Sequence, residues 1–255
     1  TVPGAGHRVD DSQPWTDALL AAVKSVAATP LEQGPTSSLS GLPVVELPTS
    51  VVPANPLADV LTVFISGDGG WATIDRDIGE YLAAHGVAVV GLDALKYFWT
   101  KRAPAGMAVD MARILTWYLQ AWHKERVVLL GYSLGADAVP FIANRLPADL
   151  RRRVLLAGLI SPGRVADFEF HVLDWVRADT SATGPAILPE ALRLAPSPLL
   201  CVYGKEDTDN SLCPLLEAAN ATASPAITVL GRPGAHHFGG DYEPVAQAIL
   251  HALGR

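Results

Sequence analysis

Val127-Val128-Leu129-Leu130-Gly131-Tyr132-Ser133-Leu134-Gly135 sets a serine between two glycines, directly after an apolar strand-like run and directly before a helix-like one. Glycines at both ends let the chain turn sharply, so the hydroxyl can project from the top of a sheet. The N–H of Leu134 would open the following helix, where an oxyanion can be stabilised. G-x-S-x-G also arises by chance as a structural serine turn, but the strand–turn–helix setting favours a nucleophile. A serine hydroxyl is a weak nucleophile and needs a base held against it, and that base needs an orienting acid. Tyr203-Gly204-Lys205-Glu206-Asp207-Thr208-Asp209 follows another strand-like run. Asp207 is the favoured acid, with Glu206 and Asp209 as rivals. The bland alternative is a solvated acidic turn, or a cap for a helix starting near Pro214.

Of the 7 histidines, His236 and His237 alone lie in a glycine-rich loop between the last strand and the last helix, Gly231 to Gly240. Serine, acid, histidine is the chain order of the α/β-hydrolases. Related hydrolases commonly place the base just before an aromatic or small residue, which favours His237 over His236. Ser66-Gly67-Asp68-Gly69-Gly70-Trp71 ends the first strand-like run of the main domain, where the second oxyanion donor of such a site arises. The N–H of Asp68 or Gly69 is the candidate. No G-K-[ST] or G-x-G-x-x-G is present, so a phosphate-binding loop is disfavoured. Trp71, the run Tyr97-Phe98-Trp99 and His171 are candidates for the substrate pocket, as is whichever of the paired histidines is not the base. The Tyr97–Trp99 aromatics could equally pack beneath a cap. Adjacent histidines raise the question of a metal, but no H-x-x-x-H spacing or Cys/His cluster supports one. No metal and no organic cofactor is expected.

Six apolar runs alternate with helical stripes from Leu61 onward: Leu61–Ile65, Val87–Leu92, Arg126–Leu130, Val154–Ile160, Leu199–Tyr203 and Ala226–Leu230. Stripes of helical period lie at Ile74–Leu82, Met107–Trp122, Leu134–Leu146 and Tyr242–Leu253. This rhythm predicts an α/β-hydrolase fold, a mostly parallel central sheet with helices on both faces. Ligands then bind beyond the carboxyl ends of the strands, which is where all the candidate residues fall. Residues 161–197 break the rhythm and read as a cap-like insertion. Residues 1–57 read as an extension or linker, with one helix around Trp15, Leu19, Val23 and Val26 and a possible edge strand at Pro43–Pro48. Residues 58–255 form the hydrolase domain.

The net charge of −7 argues against nucleic acid, whose phosphates call for clustered Lys and Arg. No apolar stretch approaches the ~18 residues of a membrane span. Ala18–Ala28 looks faintly like an export signal but lacks a basic start and is broken by Lys24. Cys201 and Cys213 could form a disulfide, or be a buried strand thiol and an unrelated loop thiol.

Together these segments resemble the bacterial VirJ/AcvB virulence-factor family over about residues 60–254. The marks are Ile65–Trp71, Tyr97–Trp99 with Arg102, Gly131–Gly135 and Asp167–Val172, then Cys201–Gly204, Ser211–Pro214 and His236–Tyr242. The resemblance implies a periplasmic hydrolase of aminoacylated phosphatidylglycerol, chiefly the lysyl form, making transient contact with a membrane surface. It also implies a link of some members to type IV secretion components. A periplasmic home in turn favours a Cys201–Cys213 bridge. A lysyl ester is cationic, and Asp68, Glu206, Asp209 and Asp241 are candidates to face its ammonium groups. The rival readings are a general carboxylesterase acting on small acyl esters and a non-catalytic periplasmic binding protein.

Overall fold

Alternation of apolar side chains along the strands makes a sheet with two buried faces. In strand β2 (Val60–Ile65), Leu61, Val63 and Ile65 point into one core, and Val60 and Phe64 into the other. Every residue of β2 is buried, as a central strand requires. The computed structural model describes residues 39–47, 49, 54–169, 184–194, 197–220 and 226–254, together with Ala21. The helix expected around Trp15–Val26 and the candidate His171 lie outside these residues.

The sheet has seven strands in the order β1-β3-β2-β4-β5-β6-β7. The strands besides β2 are β1 (Val44–Leu47), β3 (Ala88–Leu92), β4 (Arg126–Tyr132), β5 (Val154–Ile160), β6 (Leu199–Gly204) and β7 (Ile227–Arg232). β1 runs antiparallel to β3 at the edge, and the other neighbouring pairs are parallel. Helices α1 (Thr73–Ala84) and α8 (Glu243–Ala252) cover one face through Ile74, Ile78, Leu82, Val245 and Ile249. α3 (Pro104–Ala121), α4 (Leu134–Ala143), α6 (Leu188–Leu192) and α7 (Cys213–Ala219) cover the other. Two short helices, α2 (Ala94–Tyr97) and α5 (Ala148–Arg151), complete the set. The sheet is the mostly parallel, helix-covered one expected of an α/β-hydrolase.

Strand order positions the site. The chain leaves β2 for β3 on one side and then crosses to β4 on the other, so a crevice opens beyond the carboxyl ends of β2 and β4. The loop after β2 and the turn after β4 both empty into it.

Several aromatic expectations need correction. Tyr97 and Phe98 are 1% and 0% exposed and belong to the core under α3, not to a pocket. The Tyr97 hydroxyl donates to Asp110 at 2.9 Å, and Arg102 lies over its ring. Trp71 lies against Gly91, where a Cβ would strike the indole, and beside Gly79, and meets Phe64 edge-on. It is a packing residue that fixes α1 to the sheet. The described parts of the 161–197 insertion pack α6 against α4: Glu190 accepts from Asn144 and Arg145 and also pairs with Arg193.

Candidate active site

Ser133 sits where β4 breaks into α4, with φ 52° and ψ −119°. A non-glycine residue rarely adopts that conformation, and holding it costs about 1–3 kcal/mol. The flanking glycines explain how it is tolerated. A Cβ on Gly131 would run into the backbone of Gly135, and one on Gly135 into the carbonyl of Ile65. The serine is thus turned out of the sheet while the two chain segments touch beneath it.

The histidine that meets Ser133 is His236. Its Nε2 lies 3.0 Å from Ser133 Oγ, and its Nδ1 lies 3.0 Å from Asp207 Oδ2. This corrects the preference for His237. The Asp207 side chain is 18% exposed, while Glu206 and Asp209 lie out in solvent. Asn210 donates to the other Asp207 oxygen at 3.2 Å. His237 turns the other way, and its Nδ1 lies 2.7 Å from the Tyr132 hydroxyl. Burial pushes the Tyr132 phenol upward, with nearby Asp75 adding to the effect. The phenol therefore stays protonated, and its hydroxyl and the imidazole Nδ1 share one hydrogen bond.

The neighbouring loops hold this line of groups in register. The Ser161 hydroxyl donates to the carbonyl of His236 at 2.9 Å, from a residue itself at φ 47°. A Cβ on Gly204 would collide with the carbonyl of Ala235, so the loops bearing Asp207 and His236 press together. Cys201 and Cys213 are bonded, tying β6 to the start of α7 across the segment that carries Asp207.

A pocket of about 470 Å³ opens beside Ser133. It is lined by the Gly67–Gly70 loop, Ala72–Asp75, Tyr132, His236, His237 and Tyr242. Asp68 and Gly69, whose N–H groups are the expected oxyanion donors, line this pocket together with Ser133. Of the four carboxylates expected to face a cation, Asp68 alone borders this pocket. Glu206, Asp209 and Asp241 are exposed and do not line it, nor does Trp99. Asp75, Tyr132 and Tyr242 were missed as pocket residues. Asp75 did leave a signal, since it falls on the apolar stripe of its helix, with Ile78, Gly79 and Leu82 at helical spacing. Among the described residues, no group of three or more metal-ligating side chains converges, and no helix is long and apolar enough to cross a membrane.

The family described as bacterial virulence protein (VirJ) matches residues 59–255. The chain belongs to the VirJ family. No curated protein sequence matches it. Solved structures of α/β-hydrolases do resemble this VirJ-family chain in fold. Est1E from Butyrivibrio proteoclasticus is 16% identical, with a TM-score of 0.56, and the match covers 83% of this chain and 93% of that one. A dienelactone hydrolase from Anabaena variabilis is 18% identical, with a TM-score of 0.55, covering 81% and 95%. An alpha-beta serine hydrolase homologue from Coxiella burnetii is 15% identical, with a TM-score of 0.54, covering 82% and 90%. At these identities the likeness establishes the fold alone.

Proposed function

We propose that this VirJ-family protein is a periplasmic serine hydrolase that cleaves the aminoacyl ester of lysyl-phosphatidylglycerol. The observation that carries the hydrolase reading is the unbroken line Asp207–His236–Ser133, with both links at 3.0 Å. Ser133 Oγ attacks the ester carbonyl while His236 Nε2 takes its proton, and Asp207 stabilises the imidazolium that forms. The N–H of Leu134 and one from the Asp68–Gly69 turn face the developing oxyanion. His236 then returns the proton to the departing glycerol oxygen. Water, deprotonated by the same imidazole, releases the amino acid from Ser133 and restores the hydroxyl.

The choice of substrate is supported by membership of the VirJ family and by the pocket. Two carboxylates, Asp68 and Asp75, line it, and among the described residues no lysine or arginine does. A periplasmic home is supported by the Cys201–Cys213 disulfide, since such bonds persist in oxidising compartments. Contact with type IV secretion components rests on the family resemblance alone.

The test is purified protein with vesicles containing lysyl-phosphatidylglycerol, following release of free lysine. Wild-type protein should release lysine, and folded Ser133→Ala should not. A fluorophosphonate probe should label the wild type and spare the variant. Turnover of p-nitrophenyl butyrate without lysine release would favour a general carboxylesterase. Full activity of Ser133→Ala on either substrate would remove the triad from the reading.

A further inference from the structure

Asp75 is an unusual carboxylate. It stands on the apolar face of α1, is 1% exposed, and yet lines the pocket beside Ser133. Its Oδ2 accepts a long hydrogen bond from the Ala72 N–H at 3.4 Å, whereas its Oδ1 has no donor among the described residues. A buried oxygen without a donor is costly, and a charged one more so. Backbone N–H groups of Ala72, Gly67 and Asp75 itself favour the charged form, but they offset the burial only in part. Asp93, at the end of β3, adds like charge, and Lys96 pairs with Asp93. Tyr132 is a neutral phenol occupied with His237, and Asp68 across the pocket is another acid. Burial, reinforced by Asp93, accordingly pushes Asp75 from 3.8 up to about 7. The group faces no cation, and its Oδ1 has no donor among the described residues; a primary ammonium supplies both.

We infer that Asp75 is a specificity-determining residue whose carboxylate receives the α-ammonium of an aminoacyl ester. The inference rests on the aminoacyl-ester reading above and deepens it. In such an ester the α-ammonium is one carbon from the carbonyl that Ser133 attacks, so it must lie in the pocket that holds Ser133. The terminal ammonium of a lysyl chain lies several bonds farther out. Asp75 therefore selects aminoacyl over plain acyl groups, whatever the side chain. The rings of Tyr132 and Tyr242, which border the same pocket, suit a cation as well. The alternative role for Asp75 is mechanical, propping the Gly67–Ala72 turn through the Ala72 N–H, and the experiment must separate the two.

Four p-nitrophenyl esters do so: norleucyl and hexanoyl, which share a carbon skeleton and differ by the α-ammonium, and lysyl and 6-aminohexanoyl, which differ in the same way. Comparing Asp75→Asn with wild type on each ester cancels the intrinsic reactivity of the amino esters. The expected result is that the variant loses at least about tenfold more kcat/KM on norleucyl and lysyl than on hexanoyl and 6-aminohexanoyl, mainly through KM. Equal losses on all four would make Asp75 a prop for the turn and overturn the inference, as would no loss on any. A loss tracking 6-aminohexanoyl instead would overturn the α-ammonium assignment. A second arm does not need turnover. Norleucinamide should bind Ser133→Ala protein by calorimetry, and adding Asp75→Asn should weaken it at least about tenfold. Norleucinamide binding that ignores Asp75 would overturn the inference. If no ester is turned over but the amide binds through Asp75, the hydrolase reading fails and the ammonium site stands. Asp75→Ser provides the same comparisons should the amide variant not fold.

Discussion

His236 and His237 are adjacent in sequence and point to different partners, one to Ser133 and Asp207, the other to Tyr132. Chain order identified the loop but not the residue, because neighbouring side chains in an irregular loop diverge and their directions depend on backbone angles. Here Gly234 at φ 88° and the turn into Phe238–Gly240 set those angles, with Ser161 anchoring the His236 carbonyl. The expected outcome is that His236→Ala lowers kcat on p-nitrophenyl butyrate by about 10³-fold or more, near the scale of triad removal elsewhere. His237→Ala and Tyr132→Phe should each lose far less than that. Steady-state kinetics on folded variants decides it, and a larger loss in His237→Ala would return the base to that position. Ser133 and Asp207 were legible at this scale because each follows a strand at a place where backbone chemistry is tightly constrained. Asp75 was not legible as a pocket residue. Its sequence signal, a charge on an apolar stripe, tells that a carboxylate is buried but not what it faces.

At the scale of elements, the six parallel strands were readable because each is a short apolar run bounded by turn residues, and their observed limits differ from the expected ones by a residue or two. Tyr97 and Phe98 misled for a related reason. Their place after β3 suggested the active face, but the short helix α2, capped by Asp93 accepting from the Lys96 N–H, turns both rings inward. The insertion after β5 has a part whose stability can be tested separately. Glu190 would be raised by its burial, but Arg145, Asn144 and Arg193 more than offset this and hold it at about 2, against an ordinary 4.5. The sign follows from linkage: a depressed carboxyl stabilises the fold fully above its unfolded value near 4.5 and loses that contribution as pH falls toward 2. Its worth is about 2 kcal/mol, less than the full shift implies because both arginines reach solvent. Glu190→Gln should therefore lower the denaturant midpoint at pH 7, and the gap from wild type should narrow steadily below pH ~4.5. A gap of the same size at pH 7 and pH 3 would mean that packing rather than charge fixes α6 to α4.

For the molecule as a whole, the Cys201–Cys213 bond joins the sheet to the helical layer on either side of the segment that supplies the acid. Both cysteines are fully buried, one in β6 and the other at the first residue of α7. Sequence alone left their pairing open, since a cysteine in a central strand meets its partner only if the intervening loop folds back. Here it does, with the Ser211 N–H bonded to the Asp207 carbonyl and the Leu212 N–H to the carbonyl of Pro162. The bond has two separable consequences. Closing a loop of this length in the unfolded chain is worth ~3 kcal/mol, so Cys201→Ala/Cys213→Ala protein should melt about 5–10 °C lower in a thermal scan. Because Asp207 lies inside that loop, the same variant at 25 °C, still folded, should also lose kcat severalfold with little change in KM for p-nitrophenyl butyrate. The Asn210 contact and the pressed Gly204–Ala235 junction keep the loss well short of removing Asp207 itself. A lowered melting point with unchanged kcat would make the bond a staple for the fold alone. An unchanged melting point would show that the loop is equally constrained without it.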